Sequence, residues 1–188
     1  MKKLIEIIKA SLMMLGLMTF LCGLLYTLTV TGIAQVFFPD LANGSQISVI
    51  DQGGKSVIVG SELIGQEFTA PQFLQGRPKA GPSNLSPVSP EQQGIIAERI
   101  KTLLKENSSK EEIPSELVLA SGSGLDPEIS RLAADYQIPR LVETTDLNQA
   151  DITRLLDKHT KGRLFGKIGD ERVNVLQVNL EIANFQVK

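Results

Sequence analysis

The residues able to do chemistry in this chain are few, and their spacing assembles no reaction centre. His159 is the one histidine. It ends a run from Gln149 in which Ile152, Leu155 and Leu156 recur at helical spacing, so it is expected in the last turn of a helix. The negative end of the helix dipole suits a satisfied or solvent-facing imidazole there. Work as a general base also needs a proton within hydrogen-bond reach, and no Ser-His-Asp or Cys-His pair can be built from this sequence. Cys22, the one cysteine, sits inside an apolar run, which excludes an intrachain disulfide or a thiolate metal cluster; it reads as a small apolar side chain. Ser121-Gly122-Ser123-Gly124 could turn backbone N–H groups towards an anion, but it lacks the Lys of a Gly-x4-Gly-Lys-Ser/Thr phosphate loop and reads as a tight turn. The acidic residues do not fall at calcium-loop spacing. No catalytic, cofactor-binding or metal-ligating residue is therefore assigned.

The elements that would carry such residues have two unlike compositions. The mean hydropathy of +0.04 averages residues 1–39, in which 25 are apolar, with residues 40–188, in which 54 of 149 are. Between Lys9 and Asp40 run 30 residues without a formal charge. About 20 helical residues cross a bilayer core, whereas the apolar stretch of a cleaved secretory signal is about 7–15 residues long; residues 1–39 are therefore expected to form a cytoplasmic tip and a transmembrane helix. Lys2, Lys3 and Lys9 precede the span and Asp40 follows it, which keeps the N-terminus in the cytoplasm and puts residues 40–188 outside the cell as one extracytoplasmic domain. That domain holds 16 basic and 20 acidic residues, a net charge of −4. Nucleic acid needs a basic field and is excluded as a partner. A multi-span channel and a fully soluble enzyme are excluded as well.

Within the span, Gly16, Thr19, Gly23, Thr27 and Thr31 follow one another at steps of three, four, four and four, which keeps them on one helix face. Small residues let membrane helices approach closely and hydroxyls bond across the contact. The stripe is the candidate surface for a partner helix.

The outer part reads as a mixed α/β domain. Two β-prone runs, Gln46 to Ile50 and Ser56 to Val59, flank turn residues and suggest a hairpin. Residues 70–90 contain five of the nine prolines and read as an extended loop. Ser89 as cap, Pro90 at the first position and Gln92 three residues after the cap start a helix expected to reach about Asn107. It carries Ile95, Ile96, Ile100, Leu103 and Leu104 on one stripe, with Glu98, Arg99, Lys101 and Lys105 solvated. A strand is expected over Glu116 to Ala120. A helix capped by Asp126-Pro127 follows to about Tyr136, then a helix from Gln149 to His159. Two C-terminal strands, Arg163 to Ile168 and Glu171 to Ala183, complete the pattern, with a change of apolar phase near Leu176 that a bulge would explain.

These motifs, in this order, resemble a known family. A single N-terminal span is followed by Gly60-Ser61-Glu62-Leu63-Ile64-Gly65-Gln66-Glu67-Phe68, Phe73-Leu74-Gln75-Gly76-Arg77-Pro78 and Ser83-Asn84-Leu85. Ala120-Ser121-Gly122-Ser123-Gly124-Leu125-Asp126-Pro127, Gln137-Ile138-Pro139-Arg140 and Arg172-Val173-Asn174-Val175-Leu176 come later. The chain resembles, over nearly its whole length, the C subunit of the bacterial potassium-transporting Kdp P-type ATPase. It departs from the pattern in a shorter stretch between Pro78 and Ser83, in Pro82 where a second Gly is usual, and in Glu128 where His is common.

The resemblance implies a non-catalytic accessory subunit of a high-affinity, ATP-driven K⁺ uptake complex in the bacterial inner membrane. Its implied partners are a channel-like K⁺-translocating subunit, a P-type ATPase subunit and a small accessory membrane subunit. ATP and K⁺ would be handled by the complex, with no cofactor bound directly by this chain. Members are described as catalytic chaperones that raise the ATP affinity of the ATPase subunit; a domain outside the cell could do so only through its membrane helix or through subunit packing, and a cap over the outer K⁺ entrance is the simpler role. The Gly76–Ser89 loop, with Gly76, Arg77, Ser83 and Asn84, is the candidate contact on the outer domain. The alternative is a free-standing, membrane-anchored extracytoplasmic binding or sensor protein.

Overall fold

The computed structural model describes residues 1–50, 53–79, 85–107 and 112–186, without the side chains of 185 and 186. The chain divides into two units, Met1–Gln46 and Ile47–Lys188.

The first unit is dominated by one helix, α1 (Lys2–Phe37), long and apolar enough by length and composition to cross a membrane. No residue along it is buried, so its apolar surface is left for lipid or another helix. Its middle, Thr19–Tyr26, widens into π-helical turns. Phe38 leaves helical geometry, and Pro39, which lacks an N–H, opens the short α2 (Pro39–Ala42).

The second unit is a mixed α/β domain, as expected. β1 (Gln46–Ile50) and β2 (Ser56–Ser61) form a two-stranded sheet, the predicted pairing. α3 (Pro90–Glu106) starts where its cap predicts: Ser89 Oγ accepts the Gln92 N–H at 3.2 Å. The Ser89 N–H donates to Ser86 O, so the chain before the helix takes over what a full capping box would assign to Gln92. Only part of the expected stripe faces inward. Leu103 is buried and Ile96 and Ile100 pack against the core, whereas Leu104 is 58 % exposed and Ile95 lies at the margin.

Three expected elements differ. Glu116 to Ala120 forms no strand: after Pro114 the chain makes a 3₁₀ turn, Ser115–Leu117, which buries the consecutive Leu117 and Val118 together. Asp126 caps no helix; its Oδ1 accepts the Glu128 N–H at 3.1 Å and leads into β3 (Glu128–Ser130). The helix begins one strand later as α4 (Arg131–Asp135), with Ser130 Oγ accepting from the Ala133 N–H. A further helix, α5 (Ile138–Thr144), has Pro139 in its first turn. The predicted α6 (Gln149–Lys158) is present, with Ile152, Leu155 and Leu156 buried.

The C-terminal strands are the third correction. β4 is only Thr160–Lys161, residues 163–168 form a tight turn closed by a Leu164–Ile168 bridge, and β5 is only Arg172–Asn174. The chain then becomes α7 (Val175–Gln186), started by Asn174 Oδ1 accepting the Gln177 N–H at 3.1 Å. The change of phase near Leu176 is thus a change from period two to period 3.6, not a bulge: Val175, Leu176, Val178, Asn179 and Ile182 are the buried positions, the inward face of one helix. β5 is central in an antiparallel sheet of order β3-β5-β4, with Ile129 and Thr160 both opposite Val173. Ile129, Val173, Leu141, Ile152, Leu156, Val178 and Ile182 form the core between this sheet and the helices.

Candidate functional site

The Phe73–Arg77 segment lies outside any helix or strand and carries backbone donors and acceptors that burial would orphan. Two side-chain amides take the place of neighbouring strands. Leu74, which is fully buried, donates its N–H to Asn179 Oδ1 at 2.7 Å, and its carbonyl accepts from Asn179 Nδ2 at 2.8 Å. The next residue is held the same way: the Gln75 N–H donates to Gln137 Oε1 at 2.8 Å and its carbonyl accepts from Gln137 Nε2 at 2.9 Å. Asn179 comes from α7 and Gln137 from the turn before α5, so both ends of the domain's C-terminal half grip one loop.

Behind the amides lies Arg140, a guanidinium only 1 % exposed. It donates to Asn107 Oδ1 at 3.1 Å, to Gln137 Oε1 at 2.7 Å, to Phe73 O at 3.1 Å and to Pro71 O. Burial lowers its pKa, and the charge of Glu106 opposes that shift. Its hydrogen bonds end on neutral oxygens, so oriented dipoles replace the water that a buried cation loses. Because Gln137 Oε1 accepts from both Arg140 and Gln75, the orientation of that amide is fixed.

This frame positions the expected contact residues Gly76 and Arg77. A Cβ on Gly76 would stand 3.5 Å from Val175 Cγ2, an ordinary van der Waals contact. Arg77 turns back across the domain: it lies 3.6 Å from the Asp126 carboxylate and donates to Leu119 O and Ala120 O at 3.4 and 3.2 Å. Its guanidinium ties the loop to the Ser121–Gly124 turn, so its visible work is positional. Ser83 and Asn84 lie outside the described residues. Arg99, expected to be solvated, donates to Val118 O at 2.9 Å. Between α3 and the loop is a groove of about 330 Å³ lined by Phe68, Gly76, Arg77, Arg99, Leu103 and Glu106, among others.

The sequence signal for the clamp was present but easily passed over. Asn179 stands at an apolar position of the α7 stripe, and Gln137 and Arg140 are three apart in a segment where Tyr136 and Leu141 are buried. Polar groups on the buried face of a pattern mark a hydrogen-bonded network.

On α1, Gly23 has only the Thr19 Cγ2 within 4 Å of where a Cβ would stand, and Gly16 has nothing, so that face is open to a neighbour. Thr27 Oγ1 donates to Gly23 O at 2.5 Å, which commits this hydroxyl within its own helix. Four-residue steps overshoot an α turn of 3.6 residues and undershoot the wider π turn. The π segment therefore reverses the drift of the stripe formed by Gly16, Thr19, Gly23, Thr27 and Thr31 and keeps it straighter than a regular helix would. Cys22 is exposed.

His159 closes α6 with a mostly covered side chain: Nε2 is 2.7 Å from Glu181 Oε1 and Nδ1 is 3.2 Å from Gln177 Oε1. Gln177 Nε2 in turn donates to Glu62 Oε1 at 2.7 Å. Lys158 Nζ also reaches Glu181, at 2.5 Å. The one imidazole is thus a cross-link between α6 and α7.

The sequence as a whole matches the family model described as "KdpC: K+-transporting ATPase, c chain" over residues 8–184. It is 40 % identical to a potassium-transporting ATPase KdpC subunit of Clostridium perfringens, covering 94 % of this chain and 96 % of that one. The corresponding subunit of Geobacter sulfurreducens is 41 % identical, covering 93 % and 96 %, and that of Clostridium kluyveri 43 %, covering 86 % of each. With a span-length apolar helix ahead of a mixed α/β domain whose loop motifs are locked by Asn179, Gln137 and Arg140, the chain belongs to the KdpC family, the c chain of the K⁺-transporting ATPase.

Proposed function

We propose that this chain is a non-catalytic, single-pass subunit of an ATP-driven K⁺ uptake complex, with its N-terminus in the cytoplasm and residues 40–188 outside the inner membrane. Its α1 stripe packs on a membrane helix of the complex. Its outer domain docks over the channel-like K⁺-translocating subunit, beside a P-type ATPase subunit and a small accessory membrane subunit. ATP and K⁺ are handled by those partners. The carrying observation is the clamp on residues 73–77. A domain that spends two buried amides and a buried guanidinium on the shape of one loop is built to present a surface, and its single imidazole is engaged in a structural cross-link. The positive-inside distribution of Lys2, Lys3 and Lys9 supports the orientation.

Any influence on ATP affinity then travels through α1 or through subunit packing, because an outer domain cannot touch cytoplasmic nucleotide. The test is K⁺-stimulated ATP hydrolysis and subunit co-purification with and without this chain. Loss of a stable, K⁺-responsive complex is expected; unchanged assembly and activity would refute the proposal.

A further inference from the structure

The turn after β4 is an apolar tip. Leu164, Phe165 and Ile168 are 61, 86 and 64 % exposed, and every residue from 161 to 172 is exposed. Scattered exposed apolar residues are ordinary, but these three stand on one closed hairpin. The Leu164 N–H donates to Ile168 O at 2.9 Å and the Ile168 N–H to Leu164 O at 3.0 Å. Phe165 is held at φ +52°, beside Gly166 at +70°, a left-handed conformation that bulky side chains rarely adopt. The fold thus fixes the backbone at Phe165 in a turn that leaves its ring in solvent.

Charge says what this tip fits. Residues 163–168 contain Arg163 and Lys167 and no acid. Among the described residues neither cation takes part in an ion pair or a side-chain hydrogen bond. The next acids, Asp170 and Glu171, line a small charged pocket with Arg77 and Arg172. The rest of the domain is net negative, so an anionic surface repels its average charge and is met by a locally cationic tip. Apolar residues between unpaired cations are the chemistry of an anionic lipid interface, where rings and aliphatic chains enter the headgroup boundary and cations meet phosphates. A domain on the same chain as a bilayer-spanning helix is held at a membrane in any case.

We infer that Leu164, Phe165 and Ile168 dock into the anionic lipid surface, with Arg163 and Lys167 on its phosphates. The inference rests on the membrane reading of α1. The protein has no tryptophan, so Phe165→Trp supplies a single indole, and Ile168→Trp supplies a second, independent one. The full-length variants are reconstituted in phosphatidylglycerol–phosphatidylcholine vesicles with acyl chains brominated near the headgroup. Expected are flotation with the vesicles, blue-shifted emission and quenching by the brominated lipid. An anionic leaflet is worth about 1 kcal/mol per nearby cation, so Arg163→Ala with Lys167→Ala lowers the docked-to-free ratio by about 30-fold. A floating chain whose indoles stay open to an aqueous quencher and unaffected by brominated lipid overturns the inference while leaving the membrane reading intact. So does an indole that becomes shielded only when the partner subunits are added, which would identify a protein socket instead. Failure to float overturns both.

Discussion

Asn179 closes both backbone groups of Leu74, donating to its carbonyl at 2.8 Å and accepting its N–H at 2.7 Å. The two residues are 105 positions apart, and both are buried. One side chain on α7 therefore does for the loop what a paired strand does in a sheet. Asn179→Leu is close in size and leaves two buried polar groups unpartnered, each costing about 1–3 kcal/mol. A loss of about 2–5 kcal/mol is expected in urea unfolding of the full chain in micelles. An Asn179→Leu protein as stable as the parent would remove the clamp from the account.

The sequence carried a good part of this fold. Where apolar spacing and a cap agree, as in α3 with Ser89-Pro90 and α6 with Ile152, Leu155 and Leu156, the element stands where it is expected. The failures share one cause. Val173, Val175 and Val178 are β-branched and read as strand, yet only the first lies in β5; Asn174 ends the strand by capping α7, and tertiary burial of Val175, Val178 and Ile182 overrides local preference. Asp126 and Ser130, four positions apart, compete as caps, and pairing of β3 with β5 decides for Ser130. Gly76 and Arg77 were visible as a motif, but the inward reach of Arg77 to Asp126 depends on a fold that brings residues 49 positions apart together.

The α6–α7 cross-link sets a pH dependence. Partial burial alone would raise the pKa of Glu181, but hydrogen bonds from Lys158 and His159, with their charge, lower it below the ordinary carboxylate value. A carboxyl with a depressed folded-state pKa contributes stability that is present above its unfolded pKa and lost as pH falls through the folded one. The contribution is therefore intact from neutral pH down to the ordinary carboxylate range and disappears below it. Unfolding free energies of the parent and of Glu181→Gln, measured from about pH 6 to about pH 3, are expected to differ at the upper end and converge at the lower. A difference that grows on acidification would show that Glu181 is not held as the anion.

Glycine gives a paired test of packing. A Cβ on Gly65 would stand 2.5 Å from Asp126 O, and the Gly65 N–H donates to Leu125 O at 2.7 Å, so backbone lies against backbone and Gly65→Ala must push two segments apart. Gly94 is inside α3 with nothing within 4 Å. There Ala relieves a helix penalty of about 0.8–1.0 kcal/mol. Thermal unfolding is expected to shift downward for Gly65→Ala, by about 1–3 kcal/mol in stability, and upward for Gly94→Ala. Equal effects at the two positions would contradict the close approach of residue 65 to residue 126.

The stripe on α1 can be tested apart from the outer domain. Gly23 has open space in front of it and Thr27 Oγ1 bonded to its carbonyl, so a larger side chain there clashes with nothing in its own helix except the ordinary neighbour Thr19. Gly23→Leu therefore leaves the span apolar and helical while filling the face on which another backbone would rest. Leu28, on α1 and 69 % exposed, provides the control: Leu28→Ala removes bulk from the span without touching the stripe. Co-purification of the complex from membranes is expected to drop for Gly23→Leu and to hold for Leu28→Ala, with both chains present in the membrane at parental levels. Full recovery of the complex with Gly23→Leu would mean that the helix meets its neighbours on another face, and that the straightened stripe is a property of the π turns alone.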